Sequence, residues 1–211
     1  MAARLREALA GPLPGLDAQL RMAPNPRSGW DPKLFPDGAR QGAGLVLLCP
    51  AGDVLHVPLT VRGAQLRTHT GQVSLPGGRV DEGESIESAA LREAAEEIGV
   101  IPGSVEVLGR LTKIHIPVSG YVLNPVVGIA HAKPDFRRAE WEVARILEVP
   151  LTLLADPAIV RREQRTRTRD GQAVQVDVPY FDIEGEKVWG ATAMILAEFL
   201  AVLRSLGGPG L

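Results

Sequence analysis

Between Ser85 and Gly99 the chain spells one helix with both ends marked, SIESAALREAAEEIG. Ser85 is a good N-cap, because a serine hydroxyl accepts from an N–H that the first turn leaves unpaired. Glu87, with Asp81, Glu82 and Glu84 ahead of it, favours the positive end of the helix dipole, and Gly99 supplies the stop. These signals predict a helix over roughly Ile86 to Ile98. Ala90, Leu91, Ala94 and Ile98 form its apolar face, and the small alanines let it lie close to a sheet. Such a helix needs a second layer to cover that stripe, and the flanking segments must supply it.

Those segments read as strands. GLVLLCPAGDVLHVPLTVR reads as a hairpin, Ala43 to Cys49 and Val54 to Val61, turning at Pro50, Gly52 and Asp53. Further β-like runs follow the helix at Val105 to Ile116, Tyr121 to Ala130 and Ala144 to Val149. A second hairpin joins Arg165 to Arg169 with Val174 to Phe181 through Asp170 and Gly171. Residues 2 to 10 read as a short helix, while Pro24, Pro26, Pro32 and Pro36 deny the stretch up to Gly44 a continuous helix or central strand. That stretch reads as an ordered lead-in loop. A long helix, Val188 to Leu206, comes last, before a tail from Gly207 to Leu211 expected to be disordered. Strands on both sides of one central helix predict an α/β fold, a mixed sheet with helices packed on it. One domain is expected over 1–211, with a lead-in at 1–42 and a core at 43–206.

Charge and cysteine usage narrow what such a fold does. With 23 basic and 25 acidic residues the net charge is -2, so no overall positive field argues for nucleic acid or an anionic membrane. The one dense basic cluster, Arg161, Arg162, Arg165, Arg167 and Arg169, has no interleaved aromatics and is no base-stacking surface. Its last three arginines share a face on a strand, either solvated or in contact with substrate or a neighbouring subunit. A homo-oligomer is left open. Cys49 is the single cysteine and sits in an apolar run, so a buried strand residue is expected and an intrachain disulfide is excluded. The start, MAARLREALAG, has no apolar core of signal-peptide length, and no apolar stretch reaches spanning length; a soluble cytoplasmic protein is expected. His56, His69, His115 and His131 show no convincing metal-ligand spacing, which speaks against a zinc enzyme.

Within the helix, Glu93, Glu96 and Glu97 stand three and four residues apart, on one face about 100° wide. Like charges so placed repel. Arg92, four residues before Glu96, relieves part of this through a helical salt bridge worth about 0.2–0.5 kcal/mol. One reading of the three carboxylates is a solvated acidic face. The other is a hard divalent cation, which carboxylate oxygens hold together with the phosphates of a substrate. The preceding loop, SLPGGRVDEGES, bends at Pro76, Gly77 and Gly78, so the backbone of Gly77 and Gly78 can approach a bound substrate.

Gly78, Glu84, Arg92, Glu93, Ala94, Glu96, Glu97, Gly99 and Val100 resemble the Nudix box: a glycine, five residues, a glutamate, seven residues, then Arg-Glu-aliphatic-any-Glu-Glu-any-Gly-aliphatic. Ala94 is smaller than the aliphatic residue usual there, a departure that bears on packing. The resemblance implies the Nudix fold, a mixed sheet sandwiched between helices. It also implies Mg2+ or Mn2+ held by Glu93, Glu96 and Glu97, and hydrolysis of a diphosphate linked to another moiety. Glu84 and Arg92 are then expected to orient this group, and Glu96 and Glu97 to share in catalysis. The general base is open: Glu96, Glu97, or a carboxylate of RRAEWEVARILEVP, either Glu140 or Glu142, which read equally well as a polar loop before a strand.

Just upstream, PLTVRGAQLRTHTGQVSLPGG carries Leu59, Thr60, Arg62, Arg67, Gly71, Pro76, Gly77 and Gly78 at the spacing of a second motif, similar to that of coenzyme A pyrophosphatases within the Nudix family. Pro58, Gly63 and Leu75 depart from it, standing for a leucine, a serine or alanine, and a phenylalanine. EVARILEVPL and VWGATAMIL are also similar to that subfamily. The resemblance implies coenzyme A or its thioesters as the small-molecule substrate. Arg62 and Arg67 would then meet its phosphates, since a guanidinium pairs bidentately with them; the bland alternative is outward-facing loop arginines. Two other functions remain: hydrolysis of ADP-ribose or another nucleoside diphosphate derivative, and a nucleotide-sensing protein without turnover. Intact Glu93, Glu96 and Glu97 speak against the last.

Overall fold

A computed structural model describes residues 1–26, 30–63, 71–117, 119–169 and 172–208. The apolar run after Gln41 becomes β1 (Arg40–Ala51), longer than its hydrophobic part because it pairs on two sides. β2 (Val54–Arg62) folds back on it, and two short strands follow, β3 (Val73–Ser74) and β4 (Gly77–Arg79). The helix between Ser85 and Gly99 spans Ile86–Ile98, as its caps dictate. It is preceded by α1 (Ala2–Ala10) and α2 (Gly15–Gln19), and is α3 here. The run after it is two strands, β5 (Val105–Arg110) and β6 (Ile114–Ile116), interrupted at Leu111–Lys113. Then come β7 (Tyr121–Ala130), β8 (Val143–Pro150), α4 (Leu151–Leu154), β9 (Val160–Arg169), β10 (Gln172–Ile183), β11 (Glu186–Trp189) and α5 (Gly190–Ser205).

The large sheet runs β3-β2-β1-β7-β5, with β4 on β1, β6 on β7 and β8 on β2. β1 and β7 are parallel from Arg40↔Tyr121 to Leu48↔Ile129, whereas the other pairs are antiparallel, so the sheet is mixed. Successive side chains of a strand point to opposite faces. Ala43, Leu45, Leu47 and Cys49 therefore pack with Ala89, Ala90, Ala94 and Ile98 of α3, while Val46 and Leu48 belong to the other core cluster, which holds the apolar residues of α1, α4 and α5. Helices thus cover both faces. Burial pushes the Cys49 thiol up to about 11, consistent with an inert core residue. Among the described residues no helix is long and apolar enough to cross a membrane.

Three expectations need correction. The lead-in is not all loop: α2 and a 3-10 turn at Leu20–Met22 lie in it, too short for periodicity to reveal. The last helix starts at Gly190; Val188 and Trp189, β-branched and aromatic, extend β11. The second hairpin is longer than expected, Val160–Arg169 against Gln172–Ile183, and its Asp170-Gly171 turn lies outside the described residues, as do the last three of the tail. On this hairpin Arg161, Arg162 and Arg167 are exposed, but Arg165 is half-buried, its guanidinium 4.2 Å from the Trp189 ring centroid.

Candidate active site

The site is built where α3 meets β4. Ser85 accepts from the Ser88 N–H at 3.1 Å, and Gly99 closes the helix with φ 75°, so α3 is fixed at both ends. Three alanines seat it on β1 with no exposed surface. β4 hydrogen-bonds β1 with Gly44 opposite Gly77, which turns the Gly77 N–H toward the helix. That N–H donates to Glu97 Oε2 at 3.2 Å. A side chain at either glycine would have to displace a neighbour. A Cβ on Gly77 would lie 2.2 Å from the Ala43 carbonyl oxygen, and one on Gly78 would lie 2.6 Å from the Glu93 carboxyl.

The three helix glutamates are not presented alike. Glu97 is 3% exposed, Glu93 is half-buried, and the Glu96 side chain is 59% exposed. Arg92 does not chiefly answer Glu96, which it meets only at 3.4 Å. Its Nε and Nη2 donate to the two Glu84 oxygens at 3.0 Å each, Nη1 donates to Glu93 Oε1 at 2.9 Å, and Nη2 also reaches the Arg79 carbonyl. Bidentate guanidinium–carboxylate pairing is the stronger bond, so Glu84 wins. It raises Arg92 further above its usual range, and Arg92 holds Glu84 below the usual carboxylate range. No local spacing rule links residues 84 and 92, which meet only because the Gly83 turn folds the loop back over the helix. Arg92 thereby positions Glu93 from behind.

Burial dominates the electrostatics. It pushes Glu97 up to about 8, against the Gly77 N–H, with the charges of Glu142 and Glu93 adding and that of Arg62 opposing. Glu93 is also raised, first by burial, partly offset by Arg92. Glu142 thus acts on both Glu93 and Glu97, whereas Glu140 lies 80% exposed beside Arg138. The turn before β8 explains the difference: Arg137 and Ala139 donate to the Ile98 and Glu97 carbonyls, and Gly63 donates to the Glu142 carbonyl at 2.8 Å. These bonds dock Glu142 between the end of α3 and the end of β2. There Arg62 Nη2 meets Glu142 Oε1 at 3.4 Å. Arg67 and His69 lie outside the described residues. His131 pairs with Glu106, and His115 is buried in β6, so neither joins the site.

Among the described residues no three acidic, histidine or cysteine side chains form a finished metal cage. The donor set nevertheless fits a hard divalent cation. Glu93 and Glu97 are desolvated carboxylates, both raised further by Glu142, and every donor is an oxygen. Such a cation is the counter-charge that pair calls for, with exposed Glu96 free to turn in.

The NUDIX domain family profile matches residues 38–153, from the start of β1 through α4. The uncharacterized Nudix hydrolase NudL of Citrobacter koseri is 40% identical over 141 residues, covering 66% of this chain and 71% of that one. The NudL of Escherichia coli O1:K1 matches to the same extent. Among solved structures, the Nudix hydrolase RenU of M. smegmatis aligns with TM-score 0.47 and 26% identity over 56% of this chain and 74% of that one. The matched span holds Gly77, Gly78, the Glu84–Arg92 clamp and all three helix glutamates, and on that extent of agreement the chain belongs to the Nudix hydrolase family.

Proposed function

We propose that this Nudix hydrolase splits the diphosphate of coenzyme A and its thioesters, with Mg2+ or Mn2+, into adenosine 3′,5′-bisphosphate and 4′-phosphopantetheine or its acyl form. The observation that carries the reading is the meeting of two motifs at one place: Arg62, from the upstream motif, contacts Glu142 at 3.4 Å, on a turn whose Ala139 N–H donates to the carbonyl of Glu97, from the Nudix box. Glu93 and Glu97, with Glu96, hold the cation, which when bound neutralises phosphoryl oxygens and eases deprotonation of water. Arg92 and Glu84 keep Glu93 in place. Gly77 and Gly78 present backbone, with no side chain, to a phosphate of the substrate. Arg62 and Arg67 hold the charged phosphates of the substrate. Glu142, on the turn that bonds the end of α3, takes the proton of the attacking water, with Glu96 and Glu97 as the other candidates.

A turnover screen with and without Mg2+ or Mn2+ tests this, against coenzyme A, its 3′-dephospho form, ADP-ribose and dinucleoside polyphosphates. The expected result is metal-dependent release of the two named products with coenzyme A preferred. Preference for ADP-ribose over both coenzyme A forms would replace the substrate assignment, and binding without any turnover would leave a sensor.

A further inference from the structure

Arg62 is tightly held by its backbone and loosely held by its side chain. Its N–H donates to the Gln72 carbonyl at 3.0 Å, its carbonyl accepts from Gly71 at 3.2 Å, and the next residue, Gly63, is bonded to Glu142. The pairing of β2 with β8 shifts register between Val61 and Arg62, an irregularity that re-aims a side chain at a strand end. The guanidinium so aimed is under-used. Its one ion-pair contact among the described residues, to Glu142, is 3.4 Å long, well beyond the roughly 2.7–2.9 Å of a strong charge-assisted bond. Its buried Nε has no hydrogen-bond partner among the described residues. A buried donor left unmet in a well-packed site needs a reason, and one such reason is a ligand that supplies the acceptor. Both side chains remain partly open, 26% and 34% exposed, so an anion can reach them.

We propose that Arg62 changes partners during the reaction: it holds Glu142 in the free protein and turns to a phosphate oxygen when the diphosphate binds, releasing Glu142 toward the attacking water. This rests on the hydrolase reading above, and adds that substrate itself frees the base. A phosphate is the better partner, because it offers the guanidinium two oxygens in fork geometry, whereas Glu142 offers one long contact. Glu142 without Arg62 would stand as an unpaired charge facing Glu93 and Glu97, a cost that the pairing of Arg62 with the phosphate has to exceed.

The test is a double-mutant cycle on equilibrium binding, by calorimetry in EDTA, with coenzyme A and ADP-ribose as diphosphate probes. Wild type, Arg62→Ala, Glu142→Gln and the double variant are compared, with Arg62→Lys as a milder second variant and melting curves to confirm folding. Arg62→Ala should weaken binding about tenfold or more, and Arg62→Lys less. Glu142→Gln should tighten binding several-fold, since Arg62 no longer has to leave a carboxylate, and this tightening should vanish when Arg62 is alanine. Equal tightening in both backgrounds would be a general charge effect and would overturn the exchange, as would no tightening in either or no binding of either probe to the wild type. An overturned exchange alongside metal-dependent turnover leaves the hydrolase standing; a preserved coupling with turnover of ADP-ribose alone moves the substrate and keeps the exchange.

Discussion

Glu97 occupies a position that resists its own charge. Burial pushes its carboxyl up to about 8 in the folded chain, against an ordinary value of 4.5 that the unfolded chain approaches. Between those two values the native state keeps a proton that the unfolded state has lost, so this group's contribution to stability falls as pH rises through the window and is level above it. The melting temperature of the metal-free protein is expected to fall from about pH 4.5 to about pH 8, and Glu97→Gln should flatten that slope and melt higher at pH 8. The same substitution should lower turnover by orders of magnitude; near-wild-type turnover would remove Glu97 from the chemistry. Added Mg2+ should restore stability at the alkaline end, because cation binding requires the ionised form. The sequence made the three helix glutamates look equivalent. Adjacent residues on a helix point about 100° apart, so Glu97 turns to the sheet while Glu96 turns to water, and which does which depends on the layer the helix lies on.

At the level of elements, α3 and β4 divide the work of Gly77 and Gly78. A methyl group at Gly77 meets fixed backbone, the Ala43 carbonyl, whereas one at Gly78 meets the Glu93 carboxyl at the end of a side chain that can move. Gly77→Ala should therefore destabilise the fold by several kcal/mol, read as a lowered denaturation midpoint, about the scale of an overpacked core. Gly78→Ala should melt close to wild type and lose activity by displacing Glu93. Equal melting losses in the two would show that the glycines play one role. The boundaries of α3 were legible because its cap and stop are local signals acting over one turn. β4 was not, being three residues whose strand partner, β1, is distant in sequence, and the strand at Glu186–Trp189 was hidden by the helix it leads into.

Across the whole molecule, segments outside the family match clasp its core. Glu198 of α5 is fully buried and accepts from the Gly15 N–H, Gln19 Nε2 and both the N–H and hydroxyl of Thr112. Glu198→Ala leaves those donors unmet and should destabilise the protein by about 3–5 kcal/mol in urea unfolding, in the range of a broken buried polar network; a loss under about 1 kcal/mol would mean the clasp is dispensable. This is why part of the lead-in, read from its prolines as a loop, is helical at Gly15–Gln19 and Leu20–Met22: the partner of Gly15 lies 183 residues away, beyond any local pattern. The parallel pairing of β1 with β7 has a consequence of the same kind for how the enzyme comes into being. Parallel neighbours cannot be joined by a tight turn, so β2 and α3 form the crossover between them. During synthesis α3 can coil almost as soon as it leaves the ribosome, yet Arg62 must wait for Glu142, 80 residues later, to be made. A nascent chain halted short of β8 would carry its glutamate helix without catalysis and present the edge of β2 bare, a template for aggregation until the missing strand arrives.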